Sequence, residues 1–293
     1  MGIEQRLGET ADRITVALDA LLPRSSGPEV RLHSAMRYAL LASARRMRPF
    51  LCLEAGRLLD GDETTLLRIA CAVECAHTYS LIHDDLPIMD DDDYRRGQPS
   101  VHRQFDEPTA LLAGDALLAF AFEILADPNT HPDPQMRCLL IGQLARACGP
   151  LGLAAGQMLD MLGPEIGEDV AAVARMNRLK TGALIQFAVE AGAQAGAASD
   201  EARLALSRCA MDLGLGFQML DDLRDIETTA EDGSRRLRSR PARAKVSFVT
   251  LLGAENTRAR VRVLAAQAQR HLAIFGPKAK VLREAVAFVL AES

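Results

Sequence analysis

Residues 64–97 read TTLLRIACAVECAHTYSLIHDDLPIMDDDDYRRG, and this stretch carries the fold. Apolar residues recur at intervals of three and four through Ile82, with no sustained alternation, which predicts a helix over 64–84. That segment is apolar on nearly every side, so it belongs inside a bundle, buried by neighbouring helices or by a partner chain. Pro87 then ends the helix just as the carboxylates begin.

The same three-and-four spacing runs along most of the chain. Helices are predicted at 3–22, 29–43, 48–60, 107–126, 134–148, 150–162, 168–195, 199–225, 244–252, 256–274 and 278–291, with glycine and proline between them. No low-complexity linker and no fixed-period repeat divides the sequence. The expectation is an all-α, single-domain bundle over 1–293.

Composition narrows the function. Of the 293 residues, 48% are hydrophobic and 25% charged, enough for a substantial core. The net charge of -5 argues against nucleic acid as the main partner. No run of eighteen uncharged apolar residues exists; the best candidate, 109–126, contains Asp115 and Glu123, so no membrane span is expected. The opening MGIEQRLGET lacks the apolar core of a secretion signal, and six scattered cysteines read as core thiols, which points to a reduced, cytoplasmic protein. There is no glycine-rich phosphate loop, no GxGxxG after a strand and no Ser-His-Asp candidate, which disfavours nucleotide and acyl-transfer chemistry.

Two acidic clusters remain. Asp84, Asp85, Asp90, Asp91, Asp92 and Asp93 put six aspartates into ten residues, followed by Arg95 and Arg96. The second cluster is Gln218-Met219-Leu220-Asp221-Asp222-Leu223-Arg224-Asp225. A lone charge run is usually solvated surface. Here each cluster follows an apolar helix, so its first carboxylates emerge at the rim of the core. Gln218, Asp221, Asp222 and Asp225 also fall at i, i+3, i+4 and i+7, one helical face. So many like charges repel unless a cation bridges them. Hard oxygen donors select Mg²⁺ or Mn²⁺ over Zn²⁺, and Mg²⁺ commonly binds through a few carboxylates plus water and phosphate. With Pro87 ending the helix and two extra residues bulging out, Asp84 and Asp90 would face one ion. Arg45, Arg46, Arg48, Lys180 and Lys245 add cations for polyphosphate groups.

At this point the residues resemble a family. Val73 through Gly97, with its DDxxxxD spacing, is similar to the first aspartate-rich motif of the short-chain trans-isoprenyl diphosphate synthases, the polyprenyl synthetases, and most resembles bacterial farnesyl diphosphate synthases. Phe217 to Asp225 resembles their FQxxDDxxD motif. Arg45 to Pro49, Gly114-Asp115, Gly156-Gln157-Met158-Leu159-Asp160 and Lys180-Thr181-Gly182 follow in the family's order. The resemblance implies a helical bundle around a central cavity, usually a homodimer, that joins isopentenyl diphosphate to an allylic diphosphate with three Mg²⁺ ions. By that resemblance Asp84, Asp90 and Asp221 hold metal, supported by Asp85, Asp160, Asp222 and Asp225. Arg95 and Lys180 grip the allylic diphosphate, and Arg45, Arg48, His77 and Arg96 hold isopentenyl diphosphate. Thr181, Gln218 and the Lys180 carbonyl stabilise the allylic cation, with Gly182 easing a helix break that exposes the carbonyl. Tyr79, with Ser80 beside it, would floor the product pocket at farnesyl length.

The match weakens after the second motif. Where the family has GKxxGxD, this chain reads Gly233-Ser234-Arg235-Arg236-Leu237-Arg238-Ser239-Arg240, before Lys245-Val246-Ser247-Phe248. Arg235 and Lys245 keep positive charge for diphosphate, while glycine flexibility and one carboxylate are lost. Geranylgeranyl diphosphate synthesis is the alternative product reading. A non-catalytic regulatory paralogue and a terpene cyclase are the alternative classes.

Overall fold

The computed structural model describes every residue except Met1, Ser25, Gly167, Glu168, 233–245, Glu292 and Ser293, and omits the side chains of Pro164, Ile166 and 226–232. In chain order the helices are α1 (Ile3–Leu21), α2 (Val30–Leu40), α3 (Met47–Arg57), α4 (Glu63–Asp84), α5 (Val101–Gln104), α6 (Glu107–Ala126), α7 (Pro134–Cys148), α8 (Leu153–Leu162), α9 (Val170–Asn177), α10 (Ala183–Ala195), α11 (Asp200–Asp232), α12 (Phe248–Leu252), α13 (Ala254–His271) and α14 (Lys280–Val289). The all-α expectation holds. Most boundaries fall within a few residues of those predicted. The additions are a hairpin of β1 (Tyr94–Arg95) and β2 (Gln98–Pro99), the short α5, and a π-helical turn at Arg178–Gly182 between α9 and α10. The acidic helix α11 runs to Asp232 rather than ending at 225.

The chain forms two compact units, one made of residues up to Leu53 with Glu63–Ile141, the other of Glu54–Asp62 with residues from Gly142 onward. In the first, α4 is the central helix, packed by α1, α2 and α6. From Thr65 to Ile82 it is buried on all sides, as its sequence requires. Helix α6 meets it with Ala110, Ala113, Gly114, Leu117 and Ala121, a face of mostly small residues that permits close approach. Asp106 caps α6 by accepting from the Thr109 N–H at 2.7 Å.

In the second unit α11 is central, packed by α10, α12, α13, α14 and the π turn. Leu206, Ala210, Leu213, Leu220 and Leu223 bury its core face. Ser247 and Thr250 form a capping box that starts α12.

Two helical stretches, Glu107–Ala126 and Pro134–Leu162, are apolar and long enough by composition to cross a membrane, with mean hydropathy 1.8 and 1.4. The first carries Asp115 and Glu123, and the second is interrupted at 149–152.

Candidate active site

The last turn of α4 tightens before it stops. The N–H of Leu86 donates to the His83 carbonyl at 3.2 Å, and the chain then folds back until the Asp90 N–H donates to the Asp84 carbonyl at 2.9 Å. This closed loop sets Asp84 and Asp90, six apart in sequence, beside one another in the main chain. Asp84 is half-buried and Asp90 exposed.

Asp85 turns the other way. It is 2% exposed and accepts from Arg95 Nε at 2.9 Å and from Arg95 Nη2; Asp92 lies 3.1 Å from the same Nη2. Burial raises the Asp85 carboxyl to about 6, against the pull of Arg95. The space beside Tyr38, Thr78, Asp85, Arg95 and Arg96 amounts to about 20 Å³, room for little more than one water.

The hairpin after the cluster delivers the second arginine. Tyr94 pairs with Pro99 and Arg95 with Gln98, leaving Arg96-Gly97 as a two-residue turn. Both turn residues have positive φ, 54° and 78°, as a primed turn demands. Glycine takes this readily; an arginine there is strained by roughly 1–2 kcal/mol.

Arg96 joins a partly buried cation pocket. Its Nη2 lies 3.4 Å from Glu74 Oε1, which also accepts from Arg46 Nη1 at 2.5 Å. Arg46, again at positive φ (49°), is 2% exposed and donates to the Leu40 carbonyl at 2.5 Å and the Ala42 carbonyl at 3.0 Å. Arg48 Nη1 is 3.0 Å from His77 Nε2. Guanidinium can only donate, so Nε2 accepts and the imidazole proton sits on Nδ1. Burial, reinforced by Arg48, Arg96, Arg46 and Arg95, holds His77 well below its ordinary value. Arg48 falls to about 10, chiefly by burial, with Glu74 opposing and Arg96 adding to the fall. Arg46, Arg48 and Arg96 thus share Glu74 and a neutral His77, an excess of positive charge suited to an anion. Arg45 is exposed. Ser80 is buried, and its hydroxyl donates to the His77 carbonyl at 2.8 Å.

In the second unit Asp221 and Asp225 are exposed, one turn apart on α11, whereas Asp222 is 5% exposed. Asp222 Oδ1 accepts from Gln218 Nε2 at 3.2 Å, and Oδ2 from the Phe248 N–H at 3.2 Å. Thr181 Oγ1 donates to Gln218 Oε1 at 3.1 Å. This relay fixes the amide of Gln218, with its carbonyl oxygen toward Thr181.

Lys180 Nζ lies 2.5 Å from Asp160 Oδ2. Lys180 and Thr181 sit in the π turn. A π turn breaks the i→i−4 ladder without ending the helix, and such turns recur at functional sites. The expected helix break at Gly182 is therefore a widened turn. Gly182, the last residue of the π turn, keeps helical dihedrals (φ -67°, ψ -40°), and a Cβ on it would make only ordinary contact, 3.7 Å from the Asn177 carbonyl oxygen. The tighter approach is at Gly214, where a Cβ would lie 3.2 Å from the Gly182 Cα. Gly156 matters more, because a Cβ there would fall 2.1 Å from the Lys180 nitrogen. The GQxxD segment thus lets α8 touch the turn at Gly156 and hold Lys180 through Asp160 one turn on. Gln157 beside it is 8% exposed with both amide atoms unpartnered.

Among the described residues no three His, Cys, Asp or Glu side chains form a ready-made metal cage. Arg235 and Lys245 lie outside the described residues. Sequence reading passed over Glu74 as a functional residue. The available signal was a carboxylate stranded in an otherwise apolar helix, which demands a buried cation as partner.

The polyprenyl synthetase family profile matches residues 29–283. A farnesyl diphosphate synthase of Geobacillus stearothermophilus is 40% identical over 93% of this chain and 92% of its own. A chloroplastic geranylgeranyl pyrophosphate synthase of Catharanthus roseus is 39% identical over 92% of this chain and 75% of its own. The crystal structure of an FPP/GFPP synthase from Zymomonas mobilis superposes with a TM-score of 0.90 at 39% identity, covering 99% of both chains. The chain belongs to the polyprenyl synthetase family, prenyl transferases that act on isopentenyl and allylic diphosphates with divalent metal ions.

Proposed function

We propose that the whole chain works as one catalytic domain that condenses isopentenyl diphosphate with dimethylallyl or geranyl diphosphate, in the presence of Mg²⁺, to give farnesyl diphosphate. The observation that carries this reading is the cation pocket: Arg46, Arg48 and Arg96 gather around one carboxylate and a neutral imidazole. A partly buried excess of guanidinium calls for a polyanion.

In this reading Arg48, His77 and Arg96 hold the diphosphate of isopentenyl diphosphate, with exposed Arg45 at the rim. Glu74 positions Arg46 and Arg96 from beneath. Arg95 and Lys180, steadied by Asp85 and Asp160, receive the allylic diphosphate. Its C–O bond breaks with the electron pair leaving on pyrophosphate. The isopentenyl double bond forms the new C–C bond, and pyrophosphate takes the proton then lost. Thr181 and Gln218, fixed by Asp222, present oxygen dipoles to the cation.

The donor set suits Mg²⁺. Asp84, Asp90, Asp221 and Asp225 offer only carboxylate oxygens, the hard donors that Mg²⁺ takes a few at a time together with water and phosphate. Bound there, about three Mg²⁺ ions would neutralise charge on the leaving group. Asp85 and Asp222 act behind these ligands through Arg95 and Gln218.

Tyr79, 7% exposed, supports the farnesyl length. The similar identity to a geranylgeranyl pyrophosphate synthase keeps the longer product as the second reading. Exposed Leu111, Leu112 and Leu139 support a homodimer, and six free thiols support a cytoplasmic location.

Incubation with isopentenyl diphosphate, Mg²⁺ and either primer, read by mass spectrometry, tests the proposal. A C15 product supports it in full. C20 keeps the condensation and overturns the floor. No elongation overturns the condensation in favour of the regulatory or cyclase reading.

A further inference from the structure

Tyr79 and His83 lie one turn apart on α4 and meet edge to face, with ring centroids 5.7 Å apart and planes at 87°. This is a favoured aromatic geometry. The imidazole is in turn held from α6. Its Nε2 is 3.0 Å from the Leu111 carbonyl oxygen, so Nε2 carries the proton and donates. Asp115 Oδ1 stands 3.7 Å from the same nitrogen. The ring also fills the slot left by Gly114: a Cβ at that position would fall 2.2 Å from Nε2 and 2.3 Å from Cδ2. Helix α6 has therefore given up a side chain where α4 inserts a ring.

A single ring makes a poor floor unless something stands behind it. Each added isoprene unit buries five more carbons, and that hydrophobic drive exceeds the penalty for turning an unsupported ring off its rotamer. His83 is an aromatic ring in direct contact with Tyr79. It sits on the next turn toward Asp84, with its position set by a different helix.

We infer that His83 is a specificity-determining positioning residue: seated in the Gly114 slot by the Leu111 carbonyl, it fixes the Tyr79 ring and with it the length of the product. The inference rests on the reading of Tyr79 as the pocket floor. It assigns no contact between His83 and the reacting atoms.

The experiment compares wild type, Tyr79→Ala, His83→Ala, His83→Gln, Gly114→Ala and the Tyr79→Ala/His83→Ala double variant. Each is given geranyl and isopentenyl diphosphates at saturating Mg²⁺, and the ratio of the one-unit-longer product to the principal product is read. Tyr79→Ala, His83→Ala and Gly114→Ala should each raise that ratio about tenfold, a discrimination typical of small changes in an apolar pocket. The double variant should go no further than Tyr79→Ala, because His83 acts through that ring. His83→Gln keeps a donor for the Leu111 carbonyl and so protects the fold, yet it removes the ring and should also lengthen the product. Should Tyr79→Ala lengthen the product while the His83 and Gly114 variants keep the wild-type distribution, the inference is overturned and the floor stands. Should Tyr79→Ala itself leave the distribution unchanged, the floor reading falls, and this inference with it.

Discussion

Gly156→Ala puts a methyl carbon 2.1 Å from the amide nitrogen of Lys180, 2.5 Å from its Cα and 2.7 Å from the carbonyl carbon of Leu179. Ordinary contact begins at 3.4 Å, so the gap must open by about 1.3 Å (3.4 minus 2.1). The atoms met are backbone, so no side chain can swing aside and the π turn must move away from α8. Overpacking of this kind destabilises by about 1–3 kcal/mol. For a chain of this size that lowers Tm by roughly 3–10 °C. The kinetic effect should be larger, because Lys180 and Thr181 ride on the displaced turn and a ~1 Å misplacement costs on the order of 10²-fold in rate. The assay pairs a circular-dichroism melt with steady-state turnover of geranyl and isopentenyl diphosphates. A modest fall in Tm with a kcat fall of about 100-fold is expected. Wild-type Tm and kcat would show that α8 does not hold the turn. A lower Tm with normal kcat would show that Lys180 and Thr181 do not depend on its position.

Other outcomes follow from the same contacts. Glu74→Gln leaves Arg46 buried without its counter-charge and should destabilise by roughly 3 kcal/mol, with a raised KM for isopentenyl diphosphate as Arg96 loosens; an unchanged denaturation midpoint would refute the pairing. Because His77 is held well below its ordinary value by burial and the surrounding arginines, the unfolded chain binds its proton first as pH falls. Its contribution is complete above about pH 6.5 and is lost below that, at up to about 1.4 kcal/mol per pH unit. His77→Gln should flatten that part of a Tm-against-pH curve, and an unaltered slope would contradict the assignment. Asp84→Ala and Asp221→Ala should each cut turnover on the order of 10³-fold with helical content intact. Normal turnover in both would remove the metal reading.

Much of this was legible along the chain, for physical reasons that particular residues illustrate. The periodicity from Thr65 to Ile82 marks a helix buried all round, and α4 is that helix. The hairpin at 94–99 escaped notice because two-residue strands carry no period, and Arg96-Gly97 is a poorer turn signal than Asn-Gly. The π turn at Arg178–Gly182 was hidden inside a predicted continuous helix over 168–195. Its residues keep helical spacing, and the widening coincides with the close approach of Gly156, far away in sequence.

The paired aspartates show where a one-dimensional reading stops. Adjacent residues on a helix point about 100° apart, so both members of Asp84-Asp85 or Asp221-Asp222 cannot face the same way. Sequence alone established the helical class, the two acidic clusters and their company of arginines, because these depend on periodicity and residue chemistry. Only the tertiary structure decided that Asp85 and Asp222 turn inward to hold Arg95 and Gln218, and that Glu74 carries Arg46 and Arg96. Those choices depend on which donors long-range packing brings within about 3 Å, and no local pattern encodes that.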